Sequence, residues 1–262
     1  MKTLRLITII CAMAFVSLAC NRKEKCDAEL EATFILDMPL TKALTDAASA
    51  TQLSVRVFDA NHNFLYKEDF SRGENGWDVR LKLVPGTYSF SFWATSPEAD
   101  AFVFDGEYMT LSYGLMDMNS DTEDAFWASV ADLTLTTSFT RNVTLKRPFA
   151  FMQLVSNSFI NESLDGATSS FTITGAVPTR MNLITGETDT AARKAIYTAA
   201  PLTEYTVGRN TIAAAAFVLA TEEEMTVSSV AYNITFKDGR YINGTVENVP
   251  LARNHKTELK DY

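Results

Sequence analysis

Cys11, Cys20 and Cys26 are the three cysteines of this 262-residue chain, and their positions restrict what they can do. A zinc site wants four ligands at short paired spacings, and the two histidines, His62 and His255, stand far from the cysteines in sequence. A disulfide between Cys20 and Cys26 would close a very short loop and stabilise little. A third chemistry, attachment of lipid, is open to Cys20, which ends an apolar run in "SLACNRKEK", residues 17–25. Metal, disulfide and lipid are the three readings, and the flanking residues favour lipid.

The remaining reactive side chains do not assemble an enzyme. His62 in "ANHNF" sits in a turn-like stretch, and His255 in "RNHKT" lies near the end of the sequence. No nucleophile elbow, phosphate-binding glycine loop or zinc-protease helix occurs. In "DMNSDTED", residues 117–124, Asp117, Asn119 and Asp121 copy the first three ligand spacings of a calcium loop. Thr122 then stands where the loop needs glycine, and Ala128 where it needs glutamate. The segment therefore reads as a solvated acidic loop. The expectation is a non-enzyme with no catalytic residue, no metal and no cofactor. Trp77, Trp93, Phe126 and Trp127 could line a sugar site or fill the core.

Lys2 and Arg5 make the start basic, and Leu6 to Ala19 carry no charge over fourteen residues. That run is too short for a spanning helix, which needs about 20 apolar residues. A basic start, a short apolar core and small residues before the cut describe a secretory signal. Bacterial lipoprotein signals end in this way, so residues 1–19 read as a signal peptide with Cys20 as the lipidation site. Cleavage there leaves 243 residues, 21 of them basic and 32 acidic, with a formal charge of −11. Such a surface is unsuited to nucleic acid, which requires positive charge. Asn-x-Ser/Thr triplets begin at Asn142, Asn161, Asn233 and Asn243, and they carry little meaning in a bacterial lipoprotein.

The elements that must position any site alternate with period two. Leu53, Val55 and Val57 share one face in "QLSVRVFD", as do Val79, Leu81 and Leu83 in "VRLKLV". "TYSFSFWAT", "RNVTLKR" and "SFTITG" repeat the scheme, which marks half-buried strands. Pro85-Gly86 separates two runs, and Asp238-Gly239 marks a hairpin between "AYNITFK" and "RYINGTV". "TDTAARKAIYTAA" and "IAAAAFVLATEEE" contain good helix formers, but Ile212 to Leu219 read as a buried strand. Pro148 breaks a long apolar run. The expected division is a linker at residues 20–28, one β-sandwich at 29–147 and a second at 148–262, without a clear sequence repeat.

"GTYSFSFWA", "DAFWASV", "VTLKRPFAFMQLVSN", "MNLITGE" and "VENVPLARNHKTEL" resemble, in this order, the fimbrillin-like lipoproteins of gut and oral anaerobic bacteria, relatives of type V pilus subunits. The resemblance implies an all-β chain of two transthyretin-like antiparallel β-sandwich domains in tandem. It implies a lipid anchor in the outer membrane and display on the cell surface or in a fimbrium. Other pilin-like subunits are implied partners, and a host protein or glycan is an alternative ligand for a surface module that never polymerises. In pilins a trypsin-like protease cuts after the first strand, and a strand from another subunit adds at the edge laid bare. The first strand here would be Leu30 to Met38, with Ala32, Phe34, Leu36 and Met38 facing inward. The loop "PLTKALTDAASA" follows, and its one basic residue places the candidate processing site at Lys42–Ala43. An ordinary surface loop is the competing reading. The chain ends three residues after Leu259, which suits a subunit that accepts a strand without donating one, or one that stays single.

Overall fold

The structure, a computed structural model, describes residues 28–38, 50–74, 76–156, 166–189, 192–202, 206–207 and 210–261. Cys20, Lys42 and Ala43 lie outside the described residues.

Alternation in sequence becomes alternation in burial. Trp77, Val79, Leu81 and Leu83 turn into a core while Asp78, Arg80 and Lys82 face solvent. Among the described residues the strands before Arg147 are β1 (Leu30–Asp37), β2 (Gln52–Phe58), β3 (Phe64–Ser71), β4 (Trp77–Leu83), β5 (Gly86–Thr95), β6 (Phe102–Asp105), β7 (Tyr108–Leu111), β8 (Ala125–Leu135) and β9 (Phe139–Thr144). After it come β10 (Phe149–Ser156), β11 (Thr168–Val177), β12 (Arg180–Asn182), β13 (Thr188–Asp189), β14 (Ala192–Ile196), β15 (Ala200–Pro201), β16 (Thr206–Val207), β17 (Asn210–Leu219), β18 (Met225–Thr235), β19 (Tyr241–Leu251) and β20 (Lys256–Asp261). One 3-10 turn, Tyr113–Leu115, interrupts them.

The all-β expectation holds, and the sheets fall into pairs. One pair has strand orders β4-β1-β9 and β3-β2-β5-β8. The other has orders β16-β17-β10-β20 and β14-β11-β18-β19, with β15 beside β11. The two halves repeat each other in topology although not in sequence. In each, the first strand lies between an antiparallel neighbour (β4 or β17) and a parallel one (β9 or β20). The sandwiches are therefore not purely antiparallel. A parallel neighbour needs a long crossover, and nearly a whole sandwich of chain lies between first and last strands.

Helix formers around Ala192 to Ile196 yield to strand β14, because pairing with β11 outweighs a weak local preference. Ile212 to Leu219 belong to β17, as the buried-strand reading required. Asp238-Gly239 turns the chain between β18 and β19, with Gly239 at φ +86°.

A further sheet, of order β13-β12-β7-β6, joins the halves. Hairpin β6–β7 is inserted between β5 and β8 of the first half. Strands β12 and β13 are inserted between β11 and β14 of the second. The insertions meet where Met109 pairs with Met181 and Thr110 with Arg180. As a result Ala101, Met109, Leu111, Tyr113, Met116 and Met118 are buried in the second core, although they precede Pro148. Tyr113 donates to the Pro178 carbonyl at 2.9 Å and accepts from the Leu219 N–H at 3.2 Å.

Candidate functional site: the seat of the first strand

Strand β1 forms the way its sequence alternates. Ala32, Phe34 and Leu36 have no exposed surface and Met38 retains 9%. Ile35 on the opposite face is 46% exposed. The Phe34 ring lies 4.9 Å from Phe90, 5.0 Å from Phe92 and 5.5 Å from Phe139, centre to centre, in tilted and edge-on geometries that aromatic pairs favour.

The backbone of β1 is paired on both sides. Leu30 to Leu36 run antiparallel to Leu83 to Trp77 of β4, and Ala32 to Asp37 run parallel to Phe139 to Thr144 of β9. The Glu31 N–H donates to Ser138 Oγ at 2.9 Å, and the Leu145 N–H to the Asp37 carbonyl at 2.9 Å. Gly76 passes so close that an added Cβ would meet the Leu36 carbonyl oxygen at 2.6 Å, and its φ of +98° suits only glycine. Strand β1 thus lies in the middle of its sheet rather than at an edge. Two strands hold it, so taking it away would bare two rows of backbone donors and acceptors together with the pockets of four apolar side chains.

The acidic segment 117–124 departs from its sequence reading. It is not a solvated loop, because Asn119, Asp121, Glu123 and Asp124 are all buried. Asn119, at φ +57°, donates from Nδ2 to Ser169 Oγ at 2.9 Å, and its Oδ1 accepts from the Ala215 N–H at 2.9 Å. Asp124 receives two 2.7 Å hydrogen bonds, from Arg147 Nε and Nη2. The Arg147 guanidinium lies 4.7 Å from the Phe126 ring centre and 5.8 Å from that of Phe217. Those rings belong to different cores, so the pair pins the two halves at their junction. Sequence reasoning missed Arg147. The one hint was its place between a strand and Pro148.

Burial pushes the Glu123 carboxyl up to about 7, with Asp100 and Asp117 adding charge repulsion, against hydrogen bonds from the Asp100 and Ala101 backbone. Burial also raises Asp124, to about 6, against the pull of Arg147. A carboxyl with a raised folded-state pKa binds its proton more tightly in the native state. Its stabilising contribution is complete below the unfolded value of about 4.3 and disappears as pH rises through the folded one. Thermal stability is expected to fall between about pH 5 and 7. Glu123→Gln should flatten part of that slope in a melting series, and an identical slope in the variant would refute the assignment.

The histidines stay apart from this region. His62, at φ +62°, approaches Asp132 at 3.3 Å and Glu107 at 3.9 Å. His255 Nδ1 lies 2.8 Å from the Arg253 carbonyl oxygen. Among the described residues no three His, Cys, Asp or Glu side chains are grouped to hold a metal ion. Trp77, Trp93 and Phe126 are core residues, each at most 2% exposed. Trp127 is half-buried and donates to the Leu183 carbonyl at 3.0 Å. The three buried rings therefore offer no sugar platform.

The model of a family described as "Family of unknown function (DUF6562)" matches residues 23–262. No curated protein matches the sequence. Among solved structures, a candidate adhesin from Bacteroides thetaiotaomicron aligns over 83% of this chain and 80% of its own, with a TM-score of 0.52 and 15% identity. A candidate polysaccharide-binding protein from the same species aligns over 88% and 90%, at 0.51 and 12%. A candidate adhesin from Bacteroides ovatus aligns over 88% and 89%, at 0.50 and 13%. At such identities the likeness establishes a common fold with these structures.

Proposed function

We propose, for a chain that belongs to the DUF6562 family, a surface lipoprotein of pilin-like, adhesive type that is anchored through Cys20 and assembled by exchange of its first strand. The reading rests chiefly on one observation, the central place of β1 between β4 and β9. A strand that leaves the middle of a sheet exposes unpaired N–H and C=O groups on both flanks, and only another strand satisfies all of them. Its side-chain pockets would demand a small residue, then Phe, Leu and Met equivalents at alternate positions, which is how strand addition gains specificity. The adhesin-like fold neighbours support a surface role. Cleavage after Lys42 would detach the lipid and β1 together.

One experiment covers anchor and processing. Cells expressing the full chain are fed an alkyne analogue of palmitate and then treated with a protease of trypsin-like specificity. The wild-type chain should carry the label, and Cys20→Ala should not. Proteolysis should move the label to a fragment ending at Lys42, while the remainder forms oligomers or takes up a synthetic 30–38 peptide. Lys42→Gln should block both changes. Undiminished labelling of Cys20→Ala would end the anchor reading. A chain cut at Lys42 that stays monomeric and ignores excess peptide would end the exchange reading.

A further inference from the structure

A second feature of the fold has no part in strand exchange. Between the segment that runs from β5 through the 3-10 turn to Glu123 and the turn following β14 lies a cleft of about 400 Å³. Thr198 Oγ, donating to the Gly114 carbonyl at 3.1 Å, ties its two walls together. Glu98, Asp100, Asp117 and Glu123 line it, and no basic side chain does among the described residues. Glu123 is the buried member, 1% exposed. Its Oε1 accepts from the Asp100 N–H at 3.3 Å, and its Oε2 is buried without a hydrogen-bond partner.

A carboxylate oxygen left unpaired in the interior is costly, about 1–3 kcal/mol or more, and a cation would relieve the cost. The kind of cation follows from the geometry. A calcium ion draws its oxygen ligands to about 2.3–2.6 Å, whereas no three carboxylates of the described residues are grouped for a metal. The charge is instead spread around a cleft much larger than an ion. Exposed apolar surface flanks it, from Leu115 and Ala199, of the kind that covers the methylene stem of a long basic side chain. We propose that this cleft receives a lysine or arginine side chain of a partner protein, with its charged head between Glu123, Asp100 and Asp117 and its stem along Leu115.

The proposal is independent of the first strand, so its failure leaves strand exchange untouched. The test titrates the full chain with three probes: an acetylated Gly-Lys-Gly amide, its norleucine counterpart and free cadaverine. Calcium chloride is the fourth arm, and chemical shifts of cleft residues are the readout. The lysine peptide is expected to bind saturably and the norleucine peptide not at all. Glu123→Gln and the surface variant Asp117→Asn should each weaken binding about tenfold, as loss of a charge-assisted contact does. Asp117 is exposed, so that variant keeps the argument testable if Glu123→Gln disturbs folding. Equal binding of the norleucine peptide, binding of cadaverine without the lysine peptide, or a calcium response dependent on Glu123 without any lysine response would each overturn the proposal.

Discussion

Arg147→Ala is expected to be among the most damaging single substitutions in the protein, costing about 3–5 kcal/mol in a urea melt, because it strands a buried charge. Asp124 keeps no exposed surface and takes two short hydrogen bonds from the guanidinium. Without its partner the carboxylate stays buried, with Asp121 nearby and no guanidinium to balance its charge. The loss should also loosen the junction, since the guanidinium touches a ring from each core. A control separates charge from shape. The double variant Arg147→Met, Asp124→Leu removes both charges together, and replacing a buried ion pair with apolar groups is often neutral or better. It should recover most of the stability lost in Arg147→Ala. If the single variant melts like the wild type, the pair is not the pin described here.

Phe34→Ala should cost a similar amount, about 3–5 kcal/mol, as large-to-small changes at fully buried aromatic positions do. The ring meets Phe90, Phe92 and Phe139, contributed by both sheets of the first sandwich, so no single neighbour can collapse into the space it leaves. Ile35→Ala, on the exposed face of the same strand, should change stability by no more than about 0.5 kcal/mol. The contrast has a functional side. After cleavage at Lys42, β1 would be held only by pairing and packing, so Phe34→Ala should speed its replacement by a labelled wild-type 30–38 peptide. Equal stability of the two variants would contradict the burial pattern, and equal exchange rates would detach packing from strand release.

Much of the fold was legible from local pattern. Period-two alternation located β2, β4 and β5. The inward face of β1 followed from Ala32, Phe34, Leu36 and Met38, and Asp238-Gly239 marked the β18–β19 hairpin, because side-chain direction in a strand and positive φ in a turn are properties of a few adjacent residues. The repetition of one strand order in the two halves stayed hidden. Two chains of strands can share one order without sharing residues, since many apolar sets fill the same sandwich. The inserted hairpins also escaped notice, because a four-residue strand such as β6 has too short a pattern to show its partner.

By itself the sequence determined that this protein is built of strands with one apolar face, and that Cys20 ends an uncharged, apolar run near the start of the chain. Tertiary structure alone decided that β1 lies inside its sheet, that the 117–124 segment is buried, and that Asp124 meets Arg147 across the junction. The reason is physical. Alternation and turn chemistry act between neighbours in the chain, whereas strand order, ion pairing and burial of a polar segment depend on residues that only folding brings together.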